Sequence, residues 1–153
     1  MTPAIVALSA RPDLAPLVAG WLKDAFDHPP GGTVEDGTAR LLLPPDGPEE
    51  TFILFHASQP VGTASLSHDD LDVRPDLTPW LAGVYVEPAF RKRGFATALV
   101  QRVEACALSA GVPTLWLYTT TAEPLYRRLG WQRTGTERSH GREVTLMSRS
   151  LTG

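Results

Sequence analysis

Three consecutive basic side chains, Arg91, Lys92 and Arg93, stand directly before a glycine and the start of a long helical pattern. The first backbone N–H groups of a helix have no partner within the helix, and the helix dipole adds positive potential at the same end. Helix starts of this kind bind phosphate groups. Gly94 allows close approach of the backbone to such a group, and Ala96 keeps the first turn thin. The segment therefore predicts a site for a phosphate-bearing ligand.

The same basic segment is also compatible with an ordinary solvated loop before a helix. Asp and Glu are the residues normally preferred at a helix start, so three cations there conflict with the helix dipole. A bound anion would resolve that local conflict. We therefore favour phosphate binding over the solvated loop.

A second candidate site follows the apolar segment 61–67, where His68, Asp69 and Asp70 begin a stretch with four acids within eight residues. These carboxylates could attract a cationic amine, or they could form a solvated acidic loop. His68 could serve as a base or lie on the surface. Trp80 could line a ligand pocket or belong to the core, and Glu87 could face the bound ligand or solvent. The spacing does not suggest a metal site, and we expect none.

The chain contains a single cysteine, Cys106, which excludes an internal disulfide and a cysteine-rich zinc site. It falls on the apolar face of the long helical pattern that begins near Gly94. We therefore expect a small buried hydrophobic residue there and not a catalytic nucleophile.

The periodicity of apolar residues, with glycine and proline between the segments, predicts alternating strands and helices. Strands are predicted at residues 3–9, 51–57, 61–67, 80–86, 114–118, 131–136 and 143–150, and helices at 14–26, 34–43, 94–110 and 123–129. This mixed order predicts an α/β sheet covered by helices.

Composition narrows the function further. The 153 residues suit one domain, residues 1–153, and 42% apolar with 20% charged residues is typical of globular proteins. A net charge of −3 argues against a general nucleic-acid binder. No apolar run is long enough to span a membrane, and the first residues do not resemble a signal peptide, so we expect a cytoplasmic protein without a membrane partner.

Residues 91–96, Arg-Lys-Arg-Gly-Phe-Ala, resemble the Arg/Gln-x-x-Gly-x-Gly/Ala signature of the GCN5-related N-acetyltransferase (GNAT) family. The downstream run 125–131, Leu-Tyr-Arg-Arg-Leu-Gly-Trp, matches the family at the right distance. The resemblance covers residues 80–134 well and the earlier part only in element order. It implies the GNAT fold, a mixed central sheet of about six to seven strands flanked by about four helices.

The resemblance also implies the activity, an acetyl-coenzyme A (acetyl-CoA)-dependent N-acetyltransferase. Acetyl would pass to a primary amine of a small molecule or peptide by direct attack in a ternary complex. The catalytic candidate is Tyr126, beside the thioester sulfur, where a phenol can protonate or hydrogen-bond the leaving thiolate. The cofactor-binding candidates are Val84, Tyr85 and Val86 for the pantetheine arm, Arg91, Lys92, Arg93, Gly94, Phe95, Ala96 and Thr97 for the pyrophosphate, and Thr119, where many members have asparagine.

Several alternatives remain open at the level of sequence. The start of the strand at Trp80 lacks the carboxylate that acts as a base in some members, so the base is unassigned. The fold could also serve as a non-catalytic CoA-binding regulatory module, and a longer acyl donor is compatible with the motif. A homodimer could form through the apolar segment 51–57 and the region of Trp131.

Overall fold

The computed structural model describes residues 3–45 and 47–151. The strands are β1 (Ala4–Ala7), β2 (Glu50–His56), β3 (Gln59–Ser67), β4 (Trp80–Val86), β5 (Thr114–Thr119), β6 (Gln132–Ser139) and β7 (Arg142–Ser150). The α-helices are α1 (Ala15–Phe26), α2 (Val34–Leu41), α3 (Phe95–Ser109) and α4 (Glu123–Arg128). None of the helices in the described ranges is long and apolar enough to cross a membrane.

The strands form one sheet in the order β1-β2-β3-β4-β5-β7-β6. The neighbours β4 and β5 run parallel, and every other neighbouring pair is antiparallel. Helix α1 packs against Ile53 and Tyr85, whereas α3 packs against Phe52 and Leu54 on the opposite face. The predicted α/β fold, with a mixed sheet and four helices, is confirmed.

The boundaries differ from the sequence prediction at a few element ends. The first strand stops at Ala7 because residues Leu8–Ala10 form a 3₁₀ turn. Helix α2 ends at Leu41. Strand β6 continues to Ser139 because it pairs with β7 along its whole length.

Parts of the two segments proposed for a homodimer are buried in the fold. Strand β2 is enclosed between β1 and β3, and its residues 51–54 are buried. Trp131 is also buried, and its ring packs edge-on against Tyr126. Residues 55–57 and the neighbours of Trp131 keep exposed atoms, so the homodimer stays a prediction.

Helix α3 forms because an apolar stripe faces the sheet: Leu99, Val100, Val103 and Ala107 are fully buried. Cys106 lies at the edge of this stripe and is only partly buried. Burial raises the pKa of its thiol, which disfavours the nucleophilic thiolate. The expectation of a buried residue is thus met only in part.

Candidate active site

The gap between β4 and β5 is the main opening in the sheet. The two strands share one register pair, Trp80 opposite Trp116, near their N-terminal ends. Beyond that pair, the described residues of β4 and β5 form no further ladder, and main-chain groups on this edge of β4 lack a strand partner. An extended ligand with amide groups can bind such an edge as an additional strand would. Val84, Tyr85 and Val86 lie along this edge.

Strand β4 carries a bulge in the middle of the gap. Between the register pairs Thr63–Tyr85 and Ser65–Ala82, β3 has one residue and β4 has two. Gly83, one of these two residues, has a left-handed φ of +62°. A bulge turns main-chain groups away from the ladder, so β4 can direct an N–H group into the gap.

The basic segment lies at the C-terminal end of β4. The Nε of Arg91 donates to the main-chain oxygen of Val86 at 2.8 Å, and its guanidinium lies over the ring of Tyr85. Lys92 adopts a left-handed φ of +64°, which is unusual for a residue with a Cβ. Gly94 follows with a φ of +82°. Backbone strain at Lys92 is typical of ligand-binding loops.

Helix α3 begins directly after this loop with an exposed and uncapped N terminus. No side chain caps it, and its first turn contains no acidic residue. Phe95 is buried and packs against His56, which fixes the start of the helix, while Ala96 and Thr97 are partly exposed. The first N–H groups of α3 therefore point toward the basic loop and can bind an anion.

Tyr126 of α4 lies on the face of the sheet covered by α3. Its ring is buried, and its hydroxyl makes no hydrogen bond to any residue in the described ranges. Burial raises the pKa of this phenol to about 12. The hydroxyl therefore keeps its proton at neutral pH and is available as a donor to a ligand.

A polar network holds the aromatic ring that packs against Tyr126. The indole N–H of Trp131, whose ring packs edge-on against Tyr126, donates to Glu104 at 2.9 Å. Arg149 lies 3.5 Å from the same carboxylate and also donates to the main-chain oxygen of Leu129. Sequence reasoning missed this network because its members come from α3, β7 and the turn after α4, with no shared spacing.

Thr119 is the last residue of β5, and its side chain forms a hydrogen bond with the local backbone. Its hydroxyl oxygen accepts the N–H of Ala122 at 3.0 Å, which turns the chain into α4. The proton of this hydroxyl is not used by that bond and can be donated to a ligand.

The acidic segment lies beside the N-terminal end of β4. Nδ1 of His68 is 3.1 Å from Oδ1 of Asp69, and the backbone N–H of His68 donates to Glu49. Asp70 is partly buried, and burial together with the charge of Asp72 raises its pKa to about 7. His68, Asp69 and Asp70 therefore do lie together, with a carboxyl group that titrates near neutrality among them.

The two remaining acceptor candidates lie elsewhere. Trp80 is fully buried, and its indole N–H donates to the main-chain oxygen of Leu77. Trp80 therefore has no surface for a substrate, and its role in the structure is packing. Glu87 accepts the hydroxyl of Tyr85 at 3.3 Å beside the basic loop, about 20 Å along the strand from the acidic segment.

A cavity of about 550 Å³ opens between α1, α2 and the ends of β2 and β3. His28, Glu49, Glu50 and Asp69 line it among apolar residues. Leu22 also lines it, and packs closely on Gly83 at the bulge. No pattern in the sequence pointed to His28 and Glu49, because only folding brings them to one cavity. Within the described ranges, no group of three or more His, Cys, Asp or Glu side chains is placed to bind a metal.

Comparison with known proteins agrees with this geometry. Residues 18–131 match the sequence model of the acetyltransferase (GNAT) family. No curated protein matches the chain in sequence. Among solved structures, an aminoglycoside 6'-N-acetyltransferase complexed with coenzyme A superposes with a TM-score of 0.79 at 15% identity, covering 98% of both chains.

Two further solved structures are similar. The aminoglycoside 6'-N-acetyltransferase from Enterococcus faecium has a TM-score of 0.76 at 14% identity, covering 100% of this chain and 98% of its own. The yncA protein from Salmonella typhimurium with acetyl-CoA has a TM-score of 0.72 at 19% identity, covering 99% and 95%. At these identities the structures share the fold. With three quarters of its residues matched by the family model, the chain belongs to the GNAT family of acetyltransferases.

Proposed function

We propose that this protein is an acetyl-CoA-dependent N-acetyltransferase that acetylates a primary amine of a small cationic molecule. The observation that carries the proposal is the gap between β4 and β5, which ends at the uncapped N terminus of α3 behind three basic residues. An open strand edge suits the amides of pantetheine, and the adjoining helix start suits a diphosphate. Coenzyme A contains these two groups in this order.

Different residues around the gap bind different parts of the acyl donor. Main-chain groups of Val84 to Val86 bind the pantetheine arm, and Thr119 donates from the opposite strand. Lys92, Arg93 and the first N–H groups of α3 bind the pyrophosphate. The bulge at Gly83 supplies an N–H group that polarises the thioester carbonyl, and such a donor stabilises the oxyanion of the tetrahedral intermediate.

Tyr126 acts at the leaving group. The amine attacks the thioester carbon directly within a ternary complex, so no enzyme nucleophile is needed. When the carbon–sulfur bond breaks, the phenol donates its proton to the thiolate. A phenol with a pKa raised to about 12 is fully protonated at neutral pH, so it is ready for this transfer.

The charge of the acceptor cavity supports a cationic substrate. Glu49, Glu50 and Asp69 line it against one basic side chain, Arg40. Carboxylates in a cleft attract ammonium groups and orient them. Two of the similar structures are aminoglycoside N-acetyltransferases, whose substrates bear amines on a small molecule. Their substrate class is therefore a sensible first choice for the assay.

The test is an acceptor screen that reads the release of free thiol from acetyl-CoA. The panel contains kanamycin, spermidine, free amino acids and a short peptide with a free N terminus. We expect turnover with a polyamine or aminoglycoside, and thermal stabilisation by coenzyme A. Stabilisation by coenzyme A without turnover of any amine would indicate the non-catalytic binding module. Stabilisation by ATP but not by coenzyme A would contradict the proposal.

A further inference from the structure

We propose that Asp70 is the catalytic base of this reaction, taking a proton from the primary ammonium group of the acceptor on the face of the sheet opposite Tyr126. This inference rests on the proposed function. The start of β4 has no carboxylate that could act as the base, and Asp70 would take this role.

The position of Asp70 follows from the packing of its neighbour. Leu71 is buried against Trp80, Val144 and Leu146, with Tyr118 at the edge of the same cluster. The loop after β3 is thereby held over the point where β4 and β5 still pair, at Trp80 and Trp116. The gap begins immediately beyond that point, so Asp70 lies at its narrow end.

The two faces of the sheet separate Asp70 from Tyr126. Consecutive residues of a strand point to opposite faces. On β5, Leu117 packs in the cluster that contains Tyr126, whereas Tyr118 packs in the cluster that contains Leu71. A thioester in the gap would thus have the phenol on one side and the carboxyl on the other. Acyl transfer through a tetrahedral intermediate is served by this arrangement, because one group can take a proton from the nitrogen while a separate group donates to the departing thiolate.

No cationic side chain of the described residues pairs with the carboxyl of Asp70. Among the described residues it makes no hydrogen bond and no ion pair. The groups that act on it are Asp72 in its own loop and Tyr118 on β5. The neighbouring imidazoles are directed elsewhere: His68 lies against Asp69, and His140 of the β6–β7 turn lies 3.4 Å from Asp72.

Burial and the charge of Asp72 raise the pKa of Asp70 to about 7. A general base is most effective when its pKa is near the working pH. A carboxylate with an ordinary pKa would be a weak base for an ammonium group, whereas Asp70 gains basicity from its surroundings. His28 lines the cavity between α1 and α2, and burial, ahead of the charge of Arg40, lowers the pKa of this imidazole.

The proton balance of the step is complete without another reactant. Asp70 removes one proton from the ammonium group, and the neutral amine forms a bond to the thioester carbon. The intermediate loses a second proton from nitrogen as the carbon–sulfur bond breaks, and Tyr126 protonates the thiolate. Tyr126 recovers a proton equivalent to the second one through solvent, and Asp70 releases the first. The products are the amide, coenzyme A as thiol, and one proton.

The test compares Asp70→Asn with Asp76→Asn, which lies in the same loop but is exposed and pairs with Arg74. With the best amine of the screen, we expect Asp70→Asn to lower kcat/KM at pH 8 by about 10²-fold. It should also remove the acidic limb of the pH profile. Asp76→Asn should leave both kcat/KM and the acidic limb unchanged. Asp72→Asn should move the acidic limb to lower pH, because the charge of Asp72 raises the pKa of Asp70.

Each outcome separates this proposal from the proposed function. Turnover by Asp70→Asn at the wild-type rate with the same pH profile would overturn the role of Asp70 and leave the acetyltransferase intact. Absence of turnover in the wild-type protein with every amine would overturn both. A ¹³C NMR titration of the Asp70 carboxyl in the wild-type protein reads its ionisation without any acceptor. A midpoint near 7 supports the proposal, and one below about 5 contradicts it.

Discussion

Asp70 and Tyr126 lie on opposite faces of the sheet, on either side of the gap between β4 and β5. Both are placed by packing: Leu71 anchors the loop of Asp70, and Trp131 packs against the ring of Tyr126. Burial raises the pKa of both groups, so one carboxyl titrates near neutrality and one phenol stays protonated. Titratable groups with pKa values set apart in this way can act as the base and acid of one reaction.

Substitution of Tyr126 by phenylalanine tests the acid. The variant removes one hydroxyl that has no hydrogen-bond partner among the described residues, so we expect the melting temperature to stay close to that of the wild type. We expect kcat to fall by about 10²-fold, because the thiolate must then leave without a proton donor. Steady-state kinetics and a thermal melt measure both quantities. An unchanged kcat across pH 6–9 would show that the phenol transfers no proton.

Replacement of Lys92 and Arg93 by alanine tests the anion site. Both side chains are exposed, so the variant should fold normally. We expect weaker binding of coenzyme A, with the largest difference at low salt because exposed charges are screened by ions. Calorimetric titration with coenzyme A and with pantetheine measures the effect. The matched control is Arg138→Ala with Arg142→Ala on the β6–β7 hairpin, away from the gap.

The comparison between the two ligands decides the interpretation. Pantetheine lacks the diphosphate, so its affinity should be equal in the variant and in the wild type. Equal loss of affinity for both ligands would mean that the two cations do not act through the phosphates.

Substitution of Gly83 by alanine tests the bulge. Its φ of +62° disfavours a Cβ, and the new atom would lie 3.0 Å from Leu22. We expect a loss of about 1–2 kcal/mol in the free energy of unfolding from the left-handed backbone. We also expect a larger proportional fall in kcat than in coenzyme A affinity, because the oxyanion donor moves. Gly135→Ala is the control, since a Cβ there meets open space. Equal effects of the two substitutions on kcat would contradict a role for the bulge.

Much of the fold could be predicted because its signals are local. The apolar stripe of α3, the continuous apolar strand at β4 and the glycine at the start of α3 are read within a short window of sequence. The motif at residues 91–96 likewise predicted a loop and an exposed helix start, and the structure has both. These features depend on neighbouring residues and on backbone geometry, and the sequence displays them directly.

The features that could not be predicted depend on contacts between distant segments. The Trp131–Glu104 hydrogen bond joins residues on separate elements. The cavity beside His28 is lined by residues of four elements, α1, α2, β2 and β3. Trp80 was a candidate for substrate contact, yet the loop at Leu71 covers it. The high pKa of Asp70 also arises from burial in the folded chain. The sequence alone therefore could not show which of the four aspartates in this segment has the raised pKa.

Asp70 should also affect stability in a pH-dependent way. Its pKa in the folded chain, about 7, is above the ordinary value of 3.8, so the folded state binds more protons than the unfolded state between these limits. The contribution of this group to stability is therefore full below about pH 4 and is lost as the pH rises toward 7. We expect Asp70→Asn to raise the free energy of unfolding at pH 8 by up to about 4 kcal/mol relative to the wild type.

Urea unfolding of both proteins at pH 4.5 and pH 8 measures this difference. It should be small at the lower pH and larger at the higher pH. A variant that is less stable than the wild type at pH 8 would show that the ionised carboxylate has a stabilising partner. The gain in stability without the charge, together with a loss of activity, is the pattern expected of a functional group held in an unfavourable environment.

The central claim is that the loop between β4 and α3 binds the diphosphate of acetyl-CoA. A crystal structure of the protein with coenzyme A tests it most directly. We expect the pantetheine arm along Val84–Val86 between β4 and β5, and the diphosphate on the first N–H groups of α3 beside Lys92 and Arg93. A nucleotide bound elsewhere, with this loop empty or occupied by protein carboxylates, would contradict the account.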